Sequence, residues 1–135
     1  MDNLTREQRS RCMSRVRGKD TSLERMVRSE LHRRGLRFRK HVRGLPGKPD
    51  IVFVRAQVAV FIDGDFWHGW QYPRWRNKLA PFWRTKIEDN RKRDRRNFRK
   101  LRAMNWRVVR LWQHEVEADF EESIRRVVRS VRTRC

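Results

Sequence analysis

Residues 50–65 read DIVFVRAQVAVFIDGD, and this stretch decides the fold. Two runs rich in β-branched and aromatic residues flank the short Arg-Ala-Gln segment, which is the pattern of a β-hairpin. Their hydrophobicity is nearly continuous, so both faces of the sheet are expected to lie under helices. With the turn placed on Ala56 and Gln57, Asp50 falls directly across from Asp63, and both carboxylates share one face. Opposed acids cost stability unless a cation, a proton or an arginine satisfies them, and two carboxylates make a hard-oxygen start for Mg²⁺. A one-residue slip would separate them. Ordinary strand-end acids paired with arginines are the alternative reading.

Upstream, Thr21 and Glu24 in TSLE form a capping-box pattern. Leu23, Met26, Val27 and Leu31 give one apolar face, and Gly35 a stop, so a helix is expected over about 22–34. GLRFRKHV (35–42) reads as a strand and GLPGKPD (44–50) as a sharp turn. Downstream, residues 69–83 form an aromatic, proline-containing loop, 83–103 a helix and 105–112 a strand. Asp119 is placed to cap a last helix whose stripe is Phe120, Ile124, Val127, Val128 and Val131. The order α-β-β-β-α-β-α implies a three-layer α/β domain over 21–135, with a central mixed sheet between helices. Residues 1–20, polar and basic, read as an arm.

The 135 residues carry a formal net charge of +20, with 37% hydrophobic and 39% charged residues. So large an excess calls for a polyanionic partner, and arginine suits both phosphates and base edges. A membrane-surface protein and a ribosome-type structural protein are the other classes this charge allows. Cys12 and Cys135 have no nearby companion, so neither a disulfide framework nor a thiolate zinc cage can be read, and a reducing interior is expected. No apolar stretch approaches the roughly 18 residues that span a bilayer, and no signal-peptide segment opens the chain.

Several residues carry candidate chemistry. Glu24 either completes its cap or faces the sheet edge toward a metal's water shell. His68 can act as general base, as phosphate contact or in packing. Asp94 sits in RKRDRRN, by default a solvated helix face. The basic segment over 74–110 suits tracking of a phosphate backbone, with strong salt dependence. Of six tryptophans, Trp106 and Trp112 are expected in the core. Phe66, Trp67, Trp70, Trp75, Phe82 and Trp83 mix with cations in a pattern suited to stacking on bases or wedging between them.

Taken in order, RSRCMSRVRGKDTSLE (9–24), GLRFRKHVRGLPGKPDIVF (35–53), FIDGDFWHG (61–69), FWRTKIEDNRKRDRRN (82–97) and LRAMNWRVVRLW (101–112) resemble the very short patch repair, or Vsr-type, mismatch endonucleases. The resemblance implies a restriction-endonuclease-like core that uses Mg²⁺, or Mn²⁺ in its place, to nick one strand beside a T:G mismatch. By motif, Asp50 matches the principal metal aspartate, Glu24 an acid acting through water, and His68 the active-site histidine. Phe66, Trp67 and Trp83 match wedging aromatics, and Met13 an arm residue that reaches DNA. Asn90 and Asp94 fall on a supporting helix, whose Arg91 and Arg95 are expected at the phosphates.

Two departures stand out. Asp63 replaces a family histidine, which fits a second metal acid beside Asp50. At the positions of a family structural zinc the chain has Asp65, Trp70, Tyr72 and His114; tryptophan cannot ligate zinc and tyrosine rarely does. Aromatic packing and an Asp65–His114 hydrogen bond are expected instead of the ion. The resemblance thus implies a cytoplasmic, nucleoid-associated bacterial enzyme, monomeric on double-stranded DNA, with Asp50, Asp63, Glu24 and His68 as its chemistry. Nicking without mismatch specificity, in defence or repair, and non-catalytic DNA binding are its rivals.

Overall fold

The computed structural model describes residues 21–134. The expected arm, with Met13 and Cys12, lies outside them. The Thr21 hydroxyl accepts the Glu24 N–H at 3.2 Å and so starts helix α1 (Ser22–Arg33). Val27 and Leu31, one turn apart, are fully buried. Strand β1 is only Arg39–Lys40, shorter than expected. His41 ends it with φ 53, a left-handed backbone that cannot continue a ladder.

Strands β2 (Ile51–Phe53) and β3 (Val58–Asp63) form the expected hairpin, but in a different register. Ile51 pairs with Val60, Val52 with Ala59 and Phe53 with Val58. The connection therefore spans 54–57 instead of turning on Ala56 and Gln57 alone. Ala56 is tucked into the core at 3% exposure, and Gln57 adopts φ 56, two features that lengthen the turn. At the end of this ladder the Asp50 N–H bonds the Val60 carbonyl at 3.0 Å, which leaves Asp63 farther along β3, so the two acids do not face one another directly. Strand β3 outruns β2, and the Asp50 carboxylate accepts the Ile62 N–H at 2.7 Å where a backbone carbonyl would otherwise serve.

After β3, the loop holds a one-turn helix, α2 (Tyr72–Trp75), and a 3₁₀ turn (Arg76–Lys78) that sequence periodicity is too coarse to reveal. Helix α3 (Pro81–Ala103) then crosses over to β4 (Arg107–Trp112), which lies parallel to β3 with Asp63 beside Trp112. A parallel neighbour needs such a crossover. A short α4 (Gln113–Ala118) and the long α5 (Phe120–Arg134) complete the chain, the sheet order being β1-β2-β3-β4.

The sheet is covered on both faces, as the apolar runs imply. On one, Ile51, Phe53, Val58, Val60, Val109 and Leu111 pack with Val27 and Leu31 of α1 and the Ile124–Val131 stripe of α5. On the other, Ala59 and Phe61 meet Phe98 and Leu101 of α3, with Trp106 partly buried at the margin. Each fully buried Val, Ile or Leu contributes about 1.5–3 kcal/mol. The architecture is the three-layer, restriction-endonuclease-like α/β core with a mixed central sheet. No helix among the described residues is long and apolar enough to cross a membrane.

Candidate active site

Two clusters form where the sheet frays beyond β2. The first comprises Glu24 from α1, His41 from the end of β1 and Asp50 from the start of β2; one donor atom from each lies within 4.8 Å of the others. Glu24 and Asp50 are each only 4% exposed. The Glu24 backbone N–H is capped by Thr21, while its carboxylate approaches His41 Nε2 at 3.2 Å and Arg28 Nη1 at 3.6 Å. His41 is tied in turn to Asp50, donating its backbone N–H to the Asp50 carbonyl at 3.2 Å.

The second cluster joins Asp63, His68, Asp94 and Arg110. His68 Nδ1 bonds Asp94 Oδ2 at 2.7 Å, and its Nε2 lies 3.4 Å from Asp63 Oδ1. Arg110 bridges the acids, with Nε 2.8 Å from Asp63 Oδ2 and Nη2 2.8 Å from Asp94 Oδ2. Its guanidinium is also held over the rings of Trp112, at 4.1 Å, and Phe98, at 5.0 Å. Burial raises the Asp63 carboxyl above its ordinary range, against the lowering pull of His68 and Arg110. Burial alone would lower His68, but its bond to Asp94 and the charges of Asp63 and Asp94 outweigh it, and the imidazole is raised.

The predicted wedge residues form a compact aromatic cluster. Phe66, Trp67, Trp75 and Trp83 are partly buried against Tyr72, Leu79 and Ile87, and Phe66 stacks on Trp75 with centroids 5.5 Å apart. Trp83 meets both Phe66 and Trp67 edge-on. The Trp67 indole N–H is buried without an acceptor among the described residues. Phe82, beside them, is the outlier at 61% exposure. Gly69 lets this loop lie against α3: at φ +72, a Cβ there would stand 2.7 Å from Arg91 Cδ and 2.9 Å from Ile87 Cγ2.

Asn90 donates to the Trp67 carbonyl at 3.0 Å, so Asn90 and Asp94 brace the loop and His68 from inside the protein. Arg91 and Arg95 line one cleft with His68, Arg110, Trp70 and Trp112, which brings cations to the histidine's outer side. At the departed zinc positions, Asp65 Oδ1 lies 2.8 Å from His114 Nδ1 and Trp70 packs on the His114 ring at 4.0 Å. Tyr72 is buried and donates to Glu88 at 2.8 Å. The hydrogen bond and aromatic packing expected there are present.

The family description "DNA mismatch endonuclease Vsr" matches residues 1–74 of the 135. The chain belongs to the Vsr family. Similar curated proteins include the type II nicking enzyme V.XorIIP of Xanthomonas oryzae pv. oryzae, 45% identical over 120 residues, covering 85% of this chain and 86% of that one. Type II nicking enzyme V.NmeDIP of Neisseria meningitidis serogroup C is 37% identical over 135 residues, covering 96% and 91%. The DNA mismatch endonuclease Vsr of Escherichia coli (strain K12) is 36% identical over 110 residues, covering 78% and 69%. Within this Vsr-family site, two residues were not foreseen from sequence. His41 carried a signal only as the one imidazole between β1 and the LPGKPD turn. Arg110 carried one as a cation inside an apolar strand, on the side of Trp112.

Proposed function

We propose that this Vsr-family protein is a metal-dependent endonuclease that nicks one strand of duplex DNA. The observation that carries the reading is a pair of partly buried clusters, Glu24–His41–Asp50 and Asp63–His68–Asp94, each with donor atoms within 4.8 Å of one another, the Asp50 carboxylate accepting the N–H of Ile62, the residue before Asp63. Buried carboxylates with an imidazole at this spacing fit a divalent cation; Asp50, Glu24 and His41 would hold it. When bound, such an ion stabilises charge on the scissile phosphate and activates a water.

The chain's own residues do the rest. Asp94 fixes the His68 ring through Nδ1, which leaves the more loosely held Nε2, 3.4 Å from Asp63 Oδ1, as the atom that would exchange a proton with water or a phosphate oxygen. Asp63, a metal acid in the sequence reading, is engaged by Arg110 and His68, and we assign it to holding that histidine. Arg91 and Arg95 flank the same cleft and meet the DNA backbone, as the +20 charge favours. The proposed setting is a bacterial cytoplasm, where the protein acts as a monomer on DNA; the similar proteins named above come from bacteria.

A narrower reading, nicking beside a T:G mismatch, is supported by the match to the family described as DNA mismatch endonuclease Vsr, with Phe66, Trp67 and Trp83 as the rings that would enter the duplex. Separating stacked bases costs least at a mismatch. Supercoiled plasmid and matched or T:G duplexes, incubated with Mg²⁺, Mn²⁺ or EDTA, test both readings. The expected result is metal-dependent nicks that Asp50→Ala abolishes while duplex binding persists. Nicking by that variant at the wild-type rate would sink the site assignment, and absence of nicks with either metal would leave a DNA-binding protein.

A further inference from the structure

We infer that His41 supplies a nitrogen ligand to the cation site, so that the site takes Mn²⁺ in preference to Mg²⁺. The inference rests on the metal-dependent reading above and specifies its donor set. His41 Nε2 stands 3.2 Å from Glu24 Oε2. Two donors bound at right angles to one ion, each at about 2.1 Å, are separated by about 3.0 Å. The spacing thus matches adjacent ligands as well as it matches a hydrogen bond. Asp50 is the third member: all three donor atoms lie within 4.8 Å of one another, so a side-chain shift of a few tenths of an ångström brings them inside the about 4.2 Å that opposed ligands span.

Position and chemistry agree. Glu24 and Asp50 are 4% exposed, so much of their hydration is lost on folding, and a bound cation would add to Arg28 and the Ile62 N–H in offsetting it. His41 has φ 53, a left-handed backbone that is uncommon for a residue with a side chain and clusters at ligand sites. That backbone is anchored by the His41 N–H bond to Asp50, one of the other ligands. Carboxylate oxygens alone suit Mg²⁺, Ca²⁺ and Mn²⁺ alike, whereas an imidazole favours first-row transition ions over Mg²⁺. A plain hydrogen-bonding role for His41 would not discriminate between ions.

The test uses the full chain without DNA. Binding of Mn²⁺ and Mg²⁺ is measured by calorimetry, and pulsed EPR of bound Mn²⁺ reads nitrogen hyperfine coupling. The wild type is expected to bind Mn²⁺ about tenfold more tightly than Mg²⁺ and to show the coupling. His41→Gln, which keeps a donor for Glu24, should abolish the coupling and weaken Mn²⁺ about tenfold while changing Mg²⁺ less than about twofold. His68→Gln should retain the coupling. Absence of coupling in the wild type, including for want of bound Mn²⁺, its survival in His41→Gln, or equal losses for both ions overturns the inference. If it fails while Asp50→Ala still abolishes nicking, only the nitrogen ligand falls. Nicking by Asp50→Ala at the wild-type rate would instead remove the site reading itself.

Discussion

Replacing Arg110 with methionine tests the second cluster without disturbing its packing, because methionine keeps an unbranched stem against Phe98 and Trp112. Asp63 is 5% exposed and would lose its 2.8 Å guanidinium partner, keeping among the described residues His68 at 3.4 Å. Removing one partner of a fully buried ion pair costs about 3–5 kcal/mol. The Arg110 side chain is 25% exposed and solvent screens part of the pair, so the expected loss is about 2–3 kcal/mol. For a domain of this size that lowers the melting temperature by roughly 6–12 °C. The pH dependence gives the sharper check. Burial raises the Asp63 carboxyl, so its contribution to stability is fully present below its unfolded value and is lost as pH rises through the folded one. Without Arg110 that rise grows, so the variant's deficit is largest near neutral pH and shrinks as pH falls toward the ordinary carboxylate range. Urea denaturation of wild type, Arg110→Met and Arg110→Met/Asp63→Asn at several pH values reads both effects. The double variant should recover about 1 kcal/mol or more of the single variant's loss at neutral pH. A deficit independent of pH, together with a double variant as unstable as the single, would refute the reasoning.

Two further expectations concern His68 and its loop. Asp94→Asn removes the strongest influence raising His68 and leaves Asp63 as the carboxylate opposing burial, so the limb of the nicking profile that rises with pH should move to lower pH; a limb that stays or moves upward excludes Asp94 as the group that holds the proton there. Gly69→Ala combines a left-handed backbone with contacts of 2.7 and 2.9 Å, so it should cost about 2–4 kcal/mol in urea unfolding; a change within about 0.5 kcal/mol would show that the loop relaxes away from α3.

Much of the layered architecture was legible because it rests on apolar pattern. The runs over 51–54 and 58–62 announced a covered sheet, and the Ile124–Val131 stripe announced α5. The register was not legible, since it depends on Ala56 being drawn into the core and Gln57 turning left-handed, neither of which alters a hydrophobic pattern. Helices α2 and α4 are too short for periodicity to show, and β1 stops at His41 for a backbone reason. Within the site, Asp50, Glu24, Asp63 and His68 stood out by residue type and by resemblance to the family. Their division into two clusters did not, because it follows from β3 outrunning β2. Arg110 looks like one more surface cation until parallel pairing with β3 sets it opposite Phe61, two residues from Asp63, where its guanidinium reaches that carboxylate.

Asn90 and Asp94 stand one helical turn apart on α3. One holds the backbone that carries Trp67; the other holds the ring of His68. Both anchor points move with the same helix, so the posture of the aromatic cluster and the aim of the imidazole are not independent variables. Under the proposed function, a duplex that displaced the rings would strain the Trp67–Asn90 bond before it reached the histidine. The helix would then act as a common ruler, so that DNA seated wrongly against the rings would also be presented wrongly to His68.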